Sequence, residues 1–163
     1  MIQAVALGIA ACDADHKVRE EGGNNRGPRI REYLKNVGFA EGAPWCAAAV
    51  QYWSDLAART LGVVNPLDAV LQEALVQSYY DLLEGSQVDD PEPGDLVLFK
   101  FGGSATWNHV GLVAQAPAGG TFWTVEGNTS DANQRDGDAV AFKPRKLGGP
   151  PVTFIRWDGR VSE

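Results

Sequence analysis

The fold is decided by one nearly all-apolar stretch, which reads Pro44-Trp45-Cys46-Ala47-Ala48-Ala49-Val50-Gln51-Tyr52-Trp53. Alanine is the best helix former, and a helix that is apolar on every side belongs in a protein interior. The stretch therefore predicts a central buried helix that continues to about Ala58. Gly42 and Pro44 interrupt regular secondary structure just before this stretch, so Cys46 falls in the first turn of the predicted helix.

Helices are predicted on both sides of the central one. Pro28 occupies the first-turn position of an earlier helix that ends at Gly38, and its apolar residues at helical spacing are Ile30, Tyr33, Leu34 and Val37. A later helix is predicted from Pro66 to Leu83, with one apolar face formed by Leu67, Val70, Leu71, Ala74 and Leu75.

The amino-terminal residues from Ile2 to Cys12 are apolar and predict a first helix that runs on through Lys17. A secretion signal is apolar too, but the positively charged segment that precedes its apolar core is missing here. We therefore expect no export by the general secretory route and a protein that stays in the cytoplasm until it is released.

The second half of the chain has a different pattern, with short runs rich in Val, Phe, Thr and Trp between glycine or proline breaks. These runs, which predict strands, cover residues 95–99, 109–113, 122–126, 139–142 and 152–157. Helices followed by strands predict an α+β fold with a mainly antiparallel sheet. The helices alone would leave their apolar faces uncovered, so we expect a single domain spanning residues 1–163.

Composition excludes several classes of protein. A net charge of −7 repels phosphate backbones, so no nucleic-acid partner is expected. No apolar run approaches the roughly 20 residues that span a bilayer. Two cysteines and two histidines make neither a disulfide framework nor a four-thiolate zinc site. Cys12 and His16 would share a helix face, but two further ligands are not evident, and we expect no metal and no cofactor.

Cys46 and His109 are the candidate reactive pair. A helix N-terminus favours a thiolate, and imidazole exchanges protons near neutral pH. His109 begins a predicted strand, where its ring would be exposed at the edge of the sheet. Glu126 and Asn128 end the next strand, and either could accept the other ring N–H of His109. Taken singly, Cys46 is also compatible with a small core residue and His109 with an ordinary surface residue.

Four stretches in this order resemble the motif blocks of CHAP domains, the cysteine, histidine-dependent amidohydrolases/peptidases of the papain-like superfamily of cell-wall hydrolases. They are residues 42–50, 93–99, 108–113 and 125–129. The glycine-rich residues 21–27 resemble a subgroup common in phages and their bacterial hosts. The resemblance implies a papain-like fold, with Cys46 as nucleophile, His109 as general base and then acid, and Glu126 as the group that orients His109. Asn128 would be a supporting polar group.

The resemblance also implies a substrate, since CHAP domains cleave amide bonds of bacterial peptidoglycan. The bond would lie in the stem peptide or its crosslink, or between muramic acid and the first alanine. Candidate substrate-binding residues beside the catalytic positions are Trp45, Trp107, Asn108 and Trp123. Core packing is the favoured alternative for Trp45 and Trp123, whereas Trp107 lies in a predicted loop.

Two features depart from the family pattern. Many members carry a glutamine shortly before the cysteine that helps to hold the oxyanion, but Pro44 and Trp45 stand here. Some phage members bind calcium through aspartates around the cysteine loop. This chain has only Glu41 before Cys46 and Asp55 well after it, so no calcium site is expected.

Two other functions remain open from the sequence. The same fold could serve as a catalytically silent wall-binding or virion-assembly module, or as a cysteine amidohydrolase with a substrate outside the wall. For the favoured function we expect a monomer that reaches the wall through a lysis pore or as part of a virion.

Overall fold

The structure is a computed structural model and describes residues 1–70, 75–130 and 137–158, apart from the side chain of residue 69. In this part of the chain the helices come first and are α1 (Ile2–Asp15), α2 (Pro28–Asn36), α3 (Cys46–Leu61) and α4 (Val76–Leu82). The strands follow and are β1 (Leu96–Phe99), β2 (His109–Ala118), β3 (Thr121–Thr129), β4 (Ala139–Lys146) and β5 (Val152–Ile155). The predicted α+β class is confirmed, and the arrangement is consistent with a papain-like fold.

The five strands form one antiparallel sheet in the order β4-β3-β2-β1-β5. A hairpin joins β2 to β3, and its register pairs Gly111 with Glu126. On the other side of β2, His109 pairs with Phe99 of β1. The beginning of β2 and the end of β3 therefore meet at one end of the sheet.

Both faces of the central strands are buried. Along β1, Leu96 and Leu98 belong to the core shared with the helices, whereas Val97 and Phe99 point to the opposite face. That second face carries a smaller apolar cluster, called here the phenylalanine cluster: Val97, Phe99, Phe101, Val113, Phe122 and Phe154. Because successive side chains of a strand point to opposite faces, both core clusters are built from the same short strands.

Helix α3 is the centre of the first core and packs directly on the sheet. A Cβ atom at Gly127 would lie only 2.8 Å from the Cβ of Ala49 and 2.9 Å from the ring of Trp45. Only glycine allows this close approach of β3 to the start of α3. The first turn of α3 is thereby brought next to the strand that carries Glu126.

The prediction of a single helix from Pro66 to Leu83 is wrong. A 3₁₀ turn at Asp68–Val70 and the separate helix α4 are found instead. The side-chain oxygen of Asn65 accepts the backbone N–H of Leu67, a bond of the kind that caps the start of a helical turn, so the interruption lies further along the chain. Leu67 and Val70 are buried as expected, but Leu75 has an extended backbone and is 61% exposed. Leu71 and Ala74 lie outside the described residues.

The other elements follow the sequence closely. The amino-terminal helix is confirmed as α1, the helix that begins at Pro28 as α2, and the central helix with Cys46 in its first turn as α3. Strands β2 and β4 extend several residues beyond the expected runs, while β5 is shorter. Within the described ranges, no helix is both long and apolar enough to cross a membrane.

Candidate active site

Cys46 is the first residue of α3, and its side chain is almost completely buried. Burial by itself raises the pKa of its thiol, but the side chain of His109 and the backbone N–H groups of Val110 and Ala47 outweigh this effect. The pKa of Cys46 is therefore held below its ordinary value. A thiolate is thus more accessible to Cys46 than to an isolated cysteine.

His109 links Cys46 to the sheet. Its Nε2 lies 2.7 Å from Oε2 of Glu126, and because a carboxylate only accepts, Nε2 carries the hydrogen. The other ring nitrogen, Nδ1, is buried without a regular hydrogen bond, on a ring close enough to Cys46 for each group to shift the pKa of the other. Nδ1 is therefore the nitrogen available to exchange a proton with the thiol.

The imidazole is buried instead of exposed at the sheet edge, which corrects the sequence-based expectation. Aromatic rings of Phe99 and Phe101 cover it, with ring centroids 6.1 and 5.3 Å from that of His109. Phe99 is its cross-strand partner on β1, and Phe101 follows that strand. The cover therefore comes from a neighbouring strand and not from residues adjacent to His109 in sequence.

The same surroundings determine when His109 carries its proton. Burial by itself lowers the pKa of His109, but hydrogen bonds with Cys46 and Glu126, and the negative charges of both, raise it to about 9. The pKa values of Cys46 and His109 are thus shifted toward each other. A thiolate–imidazolium pair is therefore favoured over a neutral thiol–imidazole pair.

Glu126 is fully buried and its carboxylate is surrounded by donors. The hydroxyl of Thr124 donates to Oε1 at 2.5 Å. A Cβ atom at Gly111 would lie 2.6 Å from Cγ of Glu126, so a glycine opposite it makes room for this side chain. Burial raises the pKa of Glu126, but His109 and Arg145 more than compensate and hold it well below its usual range. Glu126 is therefore ionised near neutral pH.

Arg145 was missed by the sequence reasoning. Its Nε donates to Oε1 of Glu126 at 2.7 Å and its second guanidinium nitrogen to Oε2 at 2.5 Å. The sequence offers no local signal for it, because residues 143–146 read Lys-Pro-Arg-Lys and show no apolar alternation. Only the structure shows that Lys143 and Arg145 are buried on β4 whereas Pro144 and Lys146 are exposed, and the expected strand ended at residue 142.

Asn128 adjoins the site but bonds elsewhere. It has a left-handed backbone with φ of 53°, and its side-chain oxygen accepts the N–H of Gly137 at 3.3 Å. Its amide nitrogen is buried without a hydrogen-bond partner. In the described part of the chain, no hydrogen bond joins the Asn128 side chain to His109 or Glu126, whereas Glu126 contacts His109 directly.

A mostly apolar groove of about 410 Å³ opens beside Cys46. Its lining includes Phe39, Pro44, Leu75, Trp107 and Asn108. The backbone N–H of Trp107 donates to the side chain of Gln77 on α4, and the amide of Asn108 bonds to both backbone groups of Phe101. The loop that carries Trp107 is therefore held in place at the groove wall.

Trp45 and Trp123 are placed differently from Trp107. Trp45 is completely buried, lies 5.7 Å from the ring of Tyr33 and donates to Glu20, so packing is its role and its ring is not available to a substrate. Trp123 is 41% exposed, which corrects the expected core position. Trp123 does not belong to the described lining of the groove, because it lies further back along β3.

Cys12 near the end of α1 meets His16, the residue that caps this helix, with the sulfur 3.4 Å from Nδ1. Both side chains are exposed. Across residues 1–70, 75–130 and 137–158, no three His, Cys, Asp or Glu side chains are grouped so that they could hold a metal ion.

The sequence model of the CHAP domain family matches residues 38–128, more than half of the chain. The chain therefore belongs to the CHAP domain family, the cysteine- and histidine-dependent amidohydrolases/peptidases that commonly act on peptidoglycan. The match includes Cys46, His109, Glu126 and Asn128 and ends before Arg145. Searches of curated proteins and of solved structures gave no match.

Proposed function

We propose that this protein hydrolyses an amide bond of bacterial peptidoglycan, with Cys46 as nucleophile, His109 as acid and base, and Glu126 as the residue that orients His109. The observation that carries the proposal is the continuous chain of contacts from thiol to imidazole to carboxylate beside an open groove. Asn128, as a supporting polar group, accepts the backbone N–H of Gly137 and so ties the end of β3 to the residues just before β4.

In the first step the Cys46 thiolate attacks the amide carbonyl carbon. The carbon–nitrogen bond breaks, and the proton on Nδ1 of His109 moves to the departing amine. In the second step water gives a proton to Nδ1 while its oxygen attacks the thioester. The carbon–sulfur bond then breaks, the acid is released, and the thiolate–imidazolium pair is restored.

The oxyanion formed in both steps needs hydrogen-bond donors. The first N–H groups of a helix have no acceptor within the helix, and Cys46 begins α3. We assign its backbone N–H as one donor, which stabilises the tetrahedral intermediate electrostatically. The second donor is unassigned, since Pro44 and Trp45 stand before Cys46 where many family members have a glutamine.

The groove supports a peptide-like substrate. The ring of Trp107 packs on Tyr80 at 5.4 Å, and the ammonium of Lys100 lies 4.9 Å from its centroid. A fixed aromatic wall of this kind offers a flat face to a stem peptide or sugar. We assign Trp107 and Asn108 to the substrate-binding wall.

The biological setting is part of the same proposal. The glycine-rich residues 21–27 favour the phage-type subgroup. We infer a single catalytic domain over residues 1–163, because the helices and the sheet share one core, and we propose that it acts as a monomer. Delivery to the wall would use a lysis pore or the virion itself.

The experiment is mass spectrometry of purified peptidoglycans after incubation with wild-type protein, Cys46→Ala and Cys12→Ala. Wild type and Cys12→Ala should release products with new amino groups and no new reducing sugar ends, whereas Cys46→Ala should release none. The Cys12→Ala variant is the matched control, since it removes the exposed thiol of α1 and leaves Cys46 intact. His109→Ala should lower the rate at least about 10²-fold.

The opposite results would also be informative. Equal products from wild type and Cys46→Ala would disprove the assignment of Cys46 as the nucleophile. If no variant releases anything from several wall types, the wall-hydrolase function is wrong. Sedimentation of the inert protein with intact walls would then identify a binding module, and its absence would favour a substrate outside the wall.

A further inference from the structure

Arg145 has an unusual position for a cation, since it is only 4% exposed. Its guanidinium carbon lies 5.1 Å from the ring centroids of both Phe99 and Phe101, the two rings that also cover His109. The planar group donates through two nitrogens to the two oxygens of Glu126. Such a fork fixes the plane of the carboxylate as well as compensating its charge.

Among the described residues, few other charges lie near Glu126. Cys46 on α3 interacts with His109, and Arg145 on β4 interacts with Glu126. Two further titratable groups lie nearby: Lys143 is buried on β4, and Tyr79 on α4 interacts with Cys46. Tyr79 is buried with a raised pKa and stays neutral. The ammonium of Lys143 donates to the carbonyl of Ser130, and Arg145 donates to the carboxylate directly.

The proposed reaction changes the charge of His109 while Glu126 stays ionised. While His109 is an imidazolium, Glu126 is balanced by it. When His109 has passed its proton to the leaving amine, the imidazole is neutral and Glu126 would be left as a buried carboxylate. An uncompensated buried charge is strongly unfavourable. A second cation that never releases its proton removes this obstacle, and a guanidinium is such a cation.

We propose that Arg145 is a positioning residue of the site, which keeps Glu126 paired while His109 is neutral and so allows His109 to give up its proton during the reaction. The inference rests on the proposed function for its place in catalysis. The pairing itself rests on the contacts of Arg145 alone. Glu126 thus has two counter-ions, one that titrates and one that is permanent.

The experiment is a titration of His109 by ¹H–¹⁵N NMR, which needs no substrate. The chain has only two histidines, so His16→Gln assigns the second signal. All proteins carry Cys46→Ala, because a thiol that titrates in the same range would mix with the imidazole titration. In this background Arg145→Gln is compared with Arg145→Lys, and Arg156→Gln is the matched control. Arg156 donates to a different buried carboxylate, Asp95.

Arg145→Gln should raise the pKa of His109 by at least about one unit, since removal of a positive charge favours the protonated ring. Arg145→Lys keeps the positive charge, so the pKa of His109 in this variant should stay within about 0.3 units of its value in the parent protein. The same is expected for Arg156→Gln. An unchanged or lower pKa of His109 in Arg145→Gln contradicts the proposal. So does an Arg145→Lys protein that shifts as far as Arg145→Gln.

A failure to fold is also decisive. If Arg145→Gln does not fold, the same change is made together with Glu126→Gln, which removes the carboxylate that needs compensation. The double variant should fold, and if it also fails, Arg145 does not act through the charge of Glu126.

Turnover gives an independent readout in proteins that retain Cys46. Arg145→Gln should lower kcat/KM about tenfold and move its upper pH limit to higher pH, while Arg145→Lys restores most of the rate. A rate loss with an unchanged pH limit overturns the proposal. If no protein cleaves peptidoglycan, the proposed function fails, but the NMR comparison still tests the pairing of Arg145 with Glu126.

Discussion

Asp13 in the helical layer and Glu126 in the sheet are both buried carboxylates held by an arginine, yet they serve different purposes. Asp13 accepts from Tyr33 at 2.6 Å, from Trp53 at 2.9 Å and from Arg29 at 3.0 Å, which ties α1, α2 and α3 together. Glu126 accepts from Thr124, Arg145 and His109. Each carboxylate has an arginine and two further donors.

The two carboxylates differ in whether one of their hydrogen-bond donors can lose its proton. Burial and Asp13 both raise the pKa of Tyr33, so its hydroxyl keeps its proton and the contact is permanent. His109 does lose its proton in an accessible range, and its second nitrogen faces a thiol. A buried carboxylate becomes part of a reactive site when one of its partners can exchange a proton with a third group.

The largest expected effect separates the two carboxylates by activity. Glu126→Gln should lower kcat/KM by about 10² to 10⁴-fold, because the amide no longer holds the imidazole in the required tautomer or stabilises its charge. Asp13→Asn should leave kcat/KM of the folded protein unchanged. The measurement is product release from peptidoglycan, corrected for the folded fraction. Equal losses in both variants would mean that Glu126 has no more direct part in catalysis than Asp13.

The next largest expected effect is on the stability of the protein, where Asp13 is the carboxylate to change. Asp13→Asn should lower the free energy of unfolding by about 2 kcal/mol, because two buried hydrogen bonds to a charged acceptor become bonds to a neutral one. The contribution of Arg29 is smaller, since that side chain is 38% exposed and its charge is screened. Urea unfolding measures the change, with Tyr33→Phe as the variant that removes one donor. A loss below about 0.5 kcal/mol would show that Asp13 does not hold the helices together.

The pH dependence of activity sharpens the same contrast. In the proposed mechanism the active form has a Cys46 thiolate and a protonated His109, so kcat/KM should persist below about pH 8.5, where an ordinary thiol is protonated. It should fall as the pH rises through about 9, where His109 loses its proton. Glu126→Gln should move this upper limit to lower pH by about one unit or more, whereas Asp13→Asn should not move it.

The pH dependence of stability follows from the depressed pKa of Glu126. The stabilisation that ionised Glu126 gives the folded state is fully present above the pKa of an unfolded glutamate, about 4.3. It is lost as the pH falls toward the lower pKa of Glu126 in the folded protein. Glu126→Gln should therefore flatten the loss of stability on the acid side. Urea midpoints between pH 3 and 6 test this, and an unaltered slope would mean that Glu126 is not ionised in the folded protein.

The smallest effect concerns the groove. Trp107→Ala should raise KM up to about tenfold with little change in kcat, since an aromatic contact contributes about 0.5–1.5 kcal/mol. Trp123→Ala is the matched control and should leave KM unchanged, because Trp123 does not belong to the described lining. If the two variants behave alike, Trp107 is not part of the substrate-binding wall.

Much of this arrangement could be predicted from local patterns. The alanine-rich run after Pro44 predicted α3 and placed Cys46 at its start, and the short runs rich in Val, Phe, Thr and Trp between glycine or proline breaks predicted the strands. The helix predicted from Pro66 to Leu83 is interrupted, because Leu75 fits the apolar spacing but has an extended backbone. Hydrophobic periodicity shows which residues share a face and does not show where a helix is interrupted.

The amino-acid sequence by itself determined the order of helices and strands and the residues able to do chemistry, since propensity, periodicity and residue type are local properties. Only the tertiary structure decided that His109 is buried beneath Phe99 and Phe101, that Trp123 is exposed, and that Arg145 meets Glu126. These contacts depend on strand register and on which face of the sheet each side chain takes. The pKa values of Cys46, His109 and Glu126 are set by the neighbours that folding brings together, and so they belong to the fold and not to any one segment.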